Sequence, residues 1–199
     1  GMGARIVNMP TIHSANLLKR LPDVEKRFTG GSVKGISLLN EEGSLRAEVK
    51  SVLGLVAEKQ LILDSGYVSA IECAALVNEA KTLGIQRIVI SNPLSSLVGM
   101  TLEEVTGILN NGGVYVEFSA QDLYEGLVTY ALTPEFVARA IRHIGVERVV
   151  LTTDAGHRAT PPPVEMLAHF LDVLGRNGFT SGEIRTMVHD NPAKLLDLA

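Results

Sequence analysis

The chain has 199 residues with 18 basic and 22 acidic side chains, a formal charge of -4, and 46% hydrophobic residues. That apolar fraction furnishes a substantial core and excludes a disordered chain, while the balance of charge excludes a global electrostatic footprint for nucleic acid or an anionic membrane surface. A lone cysteine, Cys73, excludes an intrachain disulfide framework and a Cys-x-x-Cys zinc site, and no apolar run reaches the roughly 18 residues of a membrane span.

The first predicted strand is Arg5 to Met9, behind a Gly1-Met2 that reads as a tag remnant rather than a signal peptide. From Arg20 to Gly43 the pattern breaks: Val33 to Leu39 reads as a short extra strand and Glu41-Glu42-Gly43 as a turn. Regular alternation then begins with an amphipathic helix over Leu45 to Glu58, a strand over Leu61 to Asp64 and a helix over Ser69 to Leu83. A strand over Arg87 to Ser91, a helix over Leu102 to Asn110 and a strand over Val114 to Phe118 follow. Next come a helix over Pro134 to Ile144, a strand over Arg148 to Thr152 and two helices near Val164 to Arg176 and Ser181 to Val188. Ser69 precedes Glu72, and Thr101 precedes Glu104, by the three residues of a capping box; Ser181 stands two before Glu183, and Thr133 caps Pro134. The strands are nearly all apolar, as parallel strands covered on both faces are. The expectation is one α/β domain over residues 1–199, built of repeated beta-alpha units on a parallel sheet, with an excursion at about residues 20–43.

In such folds ligands bind at the carboxyl ends of the strands. The residues there are polar: Thr11 and His13 after the first strand, Asp64 and Tyr67 at the second, Asn92 after the third, Glu117 in the fourth, and Asp154 and His157 after the fifth. Asp154 reads either as a catalytic carboxylate or as a turn former. Glu117, inside an apolar run, must be paired, ligating or turned to the rim. Cys73 shares a helix face with Val77 and Ala80 and reads as a buried, inert thiol. The absence of a Gly-x-Ser-x-Gly elbow, a Walker loop and a dinucleotide-binding glycine pattern excludes the corresponding hydrolase and nucleotide readings.

Thr152-Thr153-Asp154-Ala155-Gly156, the run Pro161-Pro162-Pro163 and the ending Asp190-Asn191-Pro192-Ala193-Lys194-Leu195-Leu196 resemble the last third of metal-dependent hydrolases of the amidohydrolase superfamily. The likeness extends back through Gly66-Tyr67-Val68-Ser69 and Ile90-Ser91-Asn92-Pro93 to Met9-Pro10-Thr11. It implies a partial, five-strand sector of a TIM barrel, since a complete barrel takes about 250 residues. It also implies a divalent metal such as zinc, a metal-activated water, and a substrate with an amide, ester or lactone bond. Asp154 matches the family's aspartate at the eighth strand, which is a metal ligand and base. Tyr67 and Asn92 stand where the family carries histidines, and no His-x-His occurs in the chain.

Two readings therefore stand side by side. In one, Asp154 and Glu117 are catalytic, Tyr67, Asn92 and Thr11 bind substrate, and Asp154, His13 and His157 hold the metal in place of the usual ligands. In the other, a truncated barrel without catalysis serves as a small-molecule binding or interaction subunit. The Asn191-Pro192-Ala193 run also has a structural account: Asn or Asp as helix cap, Pro in the first turn, and Leu195 and Leu196 as packing anchors. An open five-strand sector exposes edges and an inner face, which predicts a homodimer. The expected location is cytoplasmic, with a small-molecule ligand and neither nucleic acid nor membrane as partner.

Overall fold

A computed structural model describes residues 3–22, 34–109, 113–124, 130–156 and 160–198. The chain divides into two compact units, Gly1–Tyr115 and Val116–Ala199. Strands alternate with helices throughout, and every described strand pairing is parallel, so the α/β class with its partial-barrel pattern holds. No helix among the described residues is long and apolar enough to cross a membrane.

In the first unit, β1 (Ile6–Asn8), β2 (Ile62–Asp64) and β3 (Ile88–Ile90) pair in parallel, with Asn8 opposite Asp64 and Asp64 opposite Val89. Helix α1 (Ala15–Arg20) follows β1; α2 (Ala47–Glu58) leads into β2, and α3 (Ala70–Thr82) joins β2 to β3. Each helix buries one stripe: Val49, Leu53 and Val56 in α2, and Cys73, Leu76, Val77 and Ala80 in α3. These close on Leu63, Ile88 and Ile90, all at 0% exposure, and burial of one such aliphatic side chain contributes roughly 1.5–3 kcal/mol. Helix α4 (Leu102–Leu109) completes the unit, begun by the Thr101–Glu104 capping box expected from the sequence.

In the second unit β4 (Val114–Ser119, from Val116 onward) pairs with β5 (Val149–Thr152), from Val116 opposite Val149 to Ser119 opposite Thr152. Val116 and Phe118 are buried while Glu117 between them is half-buried, so the strand turns its carboxylate away from the helix-covered face. Helix α5 (Pro134–Ile144) is capped by Thr133 as predicted, and α6 (Pro163–Arg176) buries Met166, Phe170, Val173 and Leu174. Next come α7 (Ser181–Arg185), a π turn over Thr186–Asp190 and α8 (Asn191–Leu195).

Three sequence expectations are corrected and one is narrowed. The cap of α7 is Thr180, not Ser181, because Thr180 stands at the capping-box distance from Glu183. Helix α1 lies in a stretch given no helix, too short for its period to show. The predicted strand Val33 to Leu39 begins outside the described residues, and its remainder makes isolated bridges, Ser14 to Ile36 and Leu39 to Leu45. It runs over the β1 loop so closely that a Cβ on Gly35 would come within 2.6 Å of the Ala15 Cα. Of the two residues expected as the cap of α8, Asn or Asp, the cap position falls to Asp190 with Pro192 in the first turn; Asn191 instead donates from Nδ2 to the Val146 and Val149 carbonyls at 2.8 and 2.7 Å, bracing α8 to the start of β5.

Candidate functional site

The carboxyl ends of β4 and β5 carry the chemistry-bearing groups of the second unit. Thr152 Oγ1 donates to Glu117 Oε1 at 2.8 Å across the strand pair, and this pairing lets a carboxylate sit within an apolar strand. Beyond Ser119 the chain enters a 3-10 turn, Ala120–Leu123. The Ser119 amide donates to Asp122 Oδ2 at 3.2 Å, and the Gln121 amide donates to the Thr153 carbonyl at 3.2 Å, which fastens the loop after β4 to the loop after β5. On that second loop Asp154 holds φ 47°, a left-handed conformation uncommon for a residue other than glycine.

Asp122 is the perturbed group. Burial pushes its carboxyl up to about 7; hydrogen bonding from Ser119 opposes the rise, and the charges of Glu117 and Asp154 add to it. A carboxyl raised toward neutrality, within the field of two further carboxylates of the same strand ends, is a candidate acid, and either of the others a candidate base. Sequence reasoning placed Glu117 and Asp154 here but assigned Asp122 no role. Its signal was the Ser119-x-x-Asp122 spacing directly after a strand.

The other described sequence candidates lie in the first unit. Tyr67 acts through its backbone: its amide donates to the Pro10 carbonyl at 3.0 Å, and its carbonyl accepts from Ser14 Oγ at 2.7 Å and Asn16 Nδ2 at 3.2 Å. Gly66 makes that junction possible with φ 62°, since a Cβ there would stand 2.4 Å from the Met9 carbonyl oxygen. Thr11 is half-buried and its carbonyl accepts from the Ser14 amide at 2.9 Å, within the same knot of loops. Asp64 accepts from Ser91 Oγ at 2.6 Å and from the Gly66 amide at 2.7 Å, and burial pushes its carboxyl up against those two bonds. Asn92 is buried, with φ 43°.

Among the described residues the metal that the resemblance implies finds no fitting donor set. His13 is exposed, His157 lies outside the described residues, and among the described residues no three His, Cys, Asp or Glu side chains come together to hold a metal ion.

Residues 1–117 match the model of a family of unknown function, DUF6282, and the chain belongs to that family. No match is found among curated proteins. Similar solved structures include the organophosphorus hydrolase from Deinococcus radiodurans, with 17% identity and a TM-score of 0.59 over 74% of this chain and 49% of that one. A mutant of a PTE-like lactonase from the same organism gives 18% identity and a TM-score of 0.58 over 74% and 51%. This chain thus spans about half the length of those structures, and at such identities the likeness is one of fold.

Proposed function

We propose that this family member is a hydrolase of small esters, lactones or amides, working through the carboxyls at the ends of β4 and β5. The observation that carries the reading is Asp122, a carboxyl that burial raises to about 7 at the strand ends that also carry Glu117 and Asp154, whose charges add to the rise. Asp154 takes a proton from the attacking water, whose oxygen bonds to the acyl carbon. Asp122 gives its proton to the leaving oxygen or nitrogen as the acyl bond breaks, so a lactone becomes a hydroxy acid. Glu117, fixed by Thr152, holds the attacking water. The fold shared with a lactonase and an organophosphorus hydrolase supports a bond of this kind.

Turnover of γ- and δ-lactones and nitrophenyl esters by the purified protein tests this, with Asp154→Asn and Asp122→Asn as variants. Loss of about 100-fold in kcat is expected for each, the lower range of general acid–base catalysis. Wild-type protein without turnover, or variants as active as wild type, would refute it. A divalent metal enters only through the sequence resemblance, and elemental analysis of wild type and Asp154→Asn decides whether the chain holds one.

A second reading, a binding or interaction subunit without catalysis, is favoured by Tyr67 and Asn92 at the histidine positions and by the lack of a metal-holding group among the described residues. Ligand binding without turnover would establish it. The proposal includes a cytoplasmic homodimer, supported by apolar side chains on and near β1: Ile6 is 45% and Ile36 51% exposed. Light scattering that finds a monomer at micromolar concentration would refute the dimer.

A further inference from the structure

The turn after β3 leaves two buried side-chain oxygens unpaired. Asn92 is 5% and Ser95 3% exposed, and Asn92 Oδ1 and Ser95 Oγ have no hydrogen-bond partner among the described residues. The Ser95 amide donates to the Asn92 carbonyl at 3.0 Å, closing a turn that brings the two residues together. Looseness does not explain the unpaired atoms. The Gly99 amide donates to the Ser95 carbonyl at 2.7 Å, the Met100 amide to the Pro93 carbonyl at 2.9 Å, and Asn16 Nδ2 to the Val98 carbonyl at 3.0 Å.

Both features oppose stability. A buried polar atom left unpaired costs about 1–3 kcal/mol, and a left-handed conformation costs most residues with a Cβ roughly 1–2 kcal/mol, asparagine less. Asn92 carries both, with φ 43°. Strain and unpaired polar atoms held in one well-tied turn are the mark of a site kept for a ligand.

We infer that the Asn92–Ser95 turn is a binding site for a small neutral group that donates hydrogen bonds, of the amide or alcohol class. The chemistry follows from the atoms. An amide oxygen only accepts, and a serine hydroxyl both accepts and donates, so the pair selects a donor. The adjoining Ser91 is engaged with Asp64; the two unpaired oxygens are themselves uncharged, and burying a cation against uncharged acceptors costs far more than burying a neutral donor, so the pair selects a neutral group. This site lies in the first unit and does not rest on the hydrolase reading.

Acetamide is the probe, with acetone as an acceptor-only control and methylammonium as a charged donor. Amide resonances of residues 91–100 in 15N-labelled protein are followed during titration, together with Tm. Acetamide is expected to shift them saturably and raise Tm, while acetone and methylammonium do neither. Ser95→Ala is expected to keep or raise Tm without probe and to weaken acetamide binding about five- to tenfold, the worth of one hydrogen bond. Asn92→Gly relieves the backbone and is expected to abolish binding. The inference is overturned by acetamide shifts that do not saturate, or by shifts equalled by either control. It is also overturned if Ser95→Ala lowers Tm by several degrees, which shows a hydroxyl already paired in the folded protein.

Discussion

Glu72 is 6% exposed and uses both carboxylate oxygens to hold two segments together. Oε2 accepts from the Ser69 amide at 3.0 Å and from Ser69 Oγ at 2.7 Å, closing the α3 capping box. Oε1 accepts from Ser37 Oγ and from the Leu38 amide, both at 2.8 Å, pinning the segment that crosses the β1 loop. Glu72→Gln keeps the shape but turns one oxygen into an NH2 that faces two donors. One backbone amide then loses its acceptor at about 1–3 kcal/mol, and the remaining bonds lose their charge assistance, so about 3 kcal/mol is expected. For a chain of this length that corresponds to a fall in Tm of about 6–12 °C.

The pH dependence fixes the cause. Burial raises the Glu72 carboxyl, but the bonds from Ser69, Ser37 and Leu38 outweigh it and hold the group below the ordinary glutamate range. A depressed acid contributes stability that is complete above its unfolded pKa and is lost as pH falls through the folded one. Urea unfolding of wild type and variant should therefore differ at pH 7 and converge in acid below the glutamate range. Cys73 is a built-in second reporter: burial raises its thiol to about 12, so native labelling is slow, and the variant should react faster with a thiol reagent. Equal stabilities at pH 7, or a difference that persists unchanged into acid, would refute the clamp.

Asp122 gives the opposite slope. Its folded value is raised to about 7, so its contribution is complete below the unfolded aspartate value and is lost as pH rises through 7. Asp122→Asn should flatten the stability profile between about pH 4 and 7 and raise Tm at pH 8; at about 1.4 kcal/mol per pKa unit the gain is a few kcal/mol at most, measured by calorimetry across that range. Asn191→Asp places an acceptor against the Val146 and Val149 carbonyls, and a loss of about 3 kcal/mol in urea unfolding is expected, with Asn191→Ala milder. A neutral Asn191→Asp would contradict the brace.

Much of the fold was legible because its signals are local. The apolar runs at Leu61 to Asp64 and Arg148 to Thr152, and the boxes at Ser69–Glu72 and Thr101–Glu104, report on the backbone within a few residues of themselves. Glu117 and Asp154 were legible as site candidates because strand ends collect polar residues in alternating folds. Asp122 was not, because its character comes from burial and from two charges supplied by other segments. Nor was the role of Asn191, whose partners lie 45 and 42 residues away.

By itself the sequence determined the α/β class, the order of the five paired strands and of helices α2 to α7, and the absence of a His-x-His. These follow from residue type and short-range period. Only the tertiary structure decided which carboxyl is held near neutrality, which glutamate is spent on a clamp, and that Asn92 and Ser95 are buried with unpaired oxygens. Burial, hydrogen-bond partners and neighbouring charge are set by segments distant in the chain, so they exist only once it has folded.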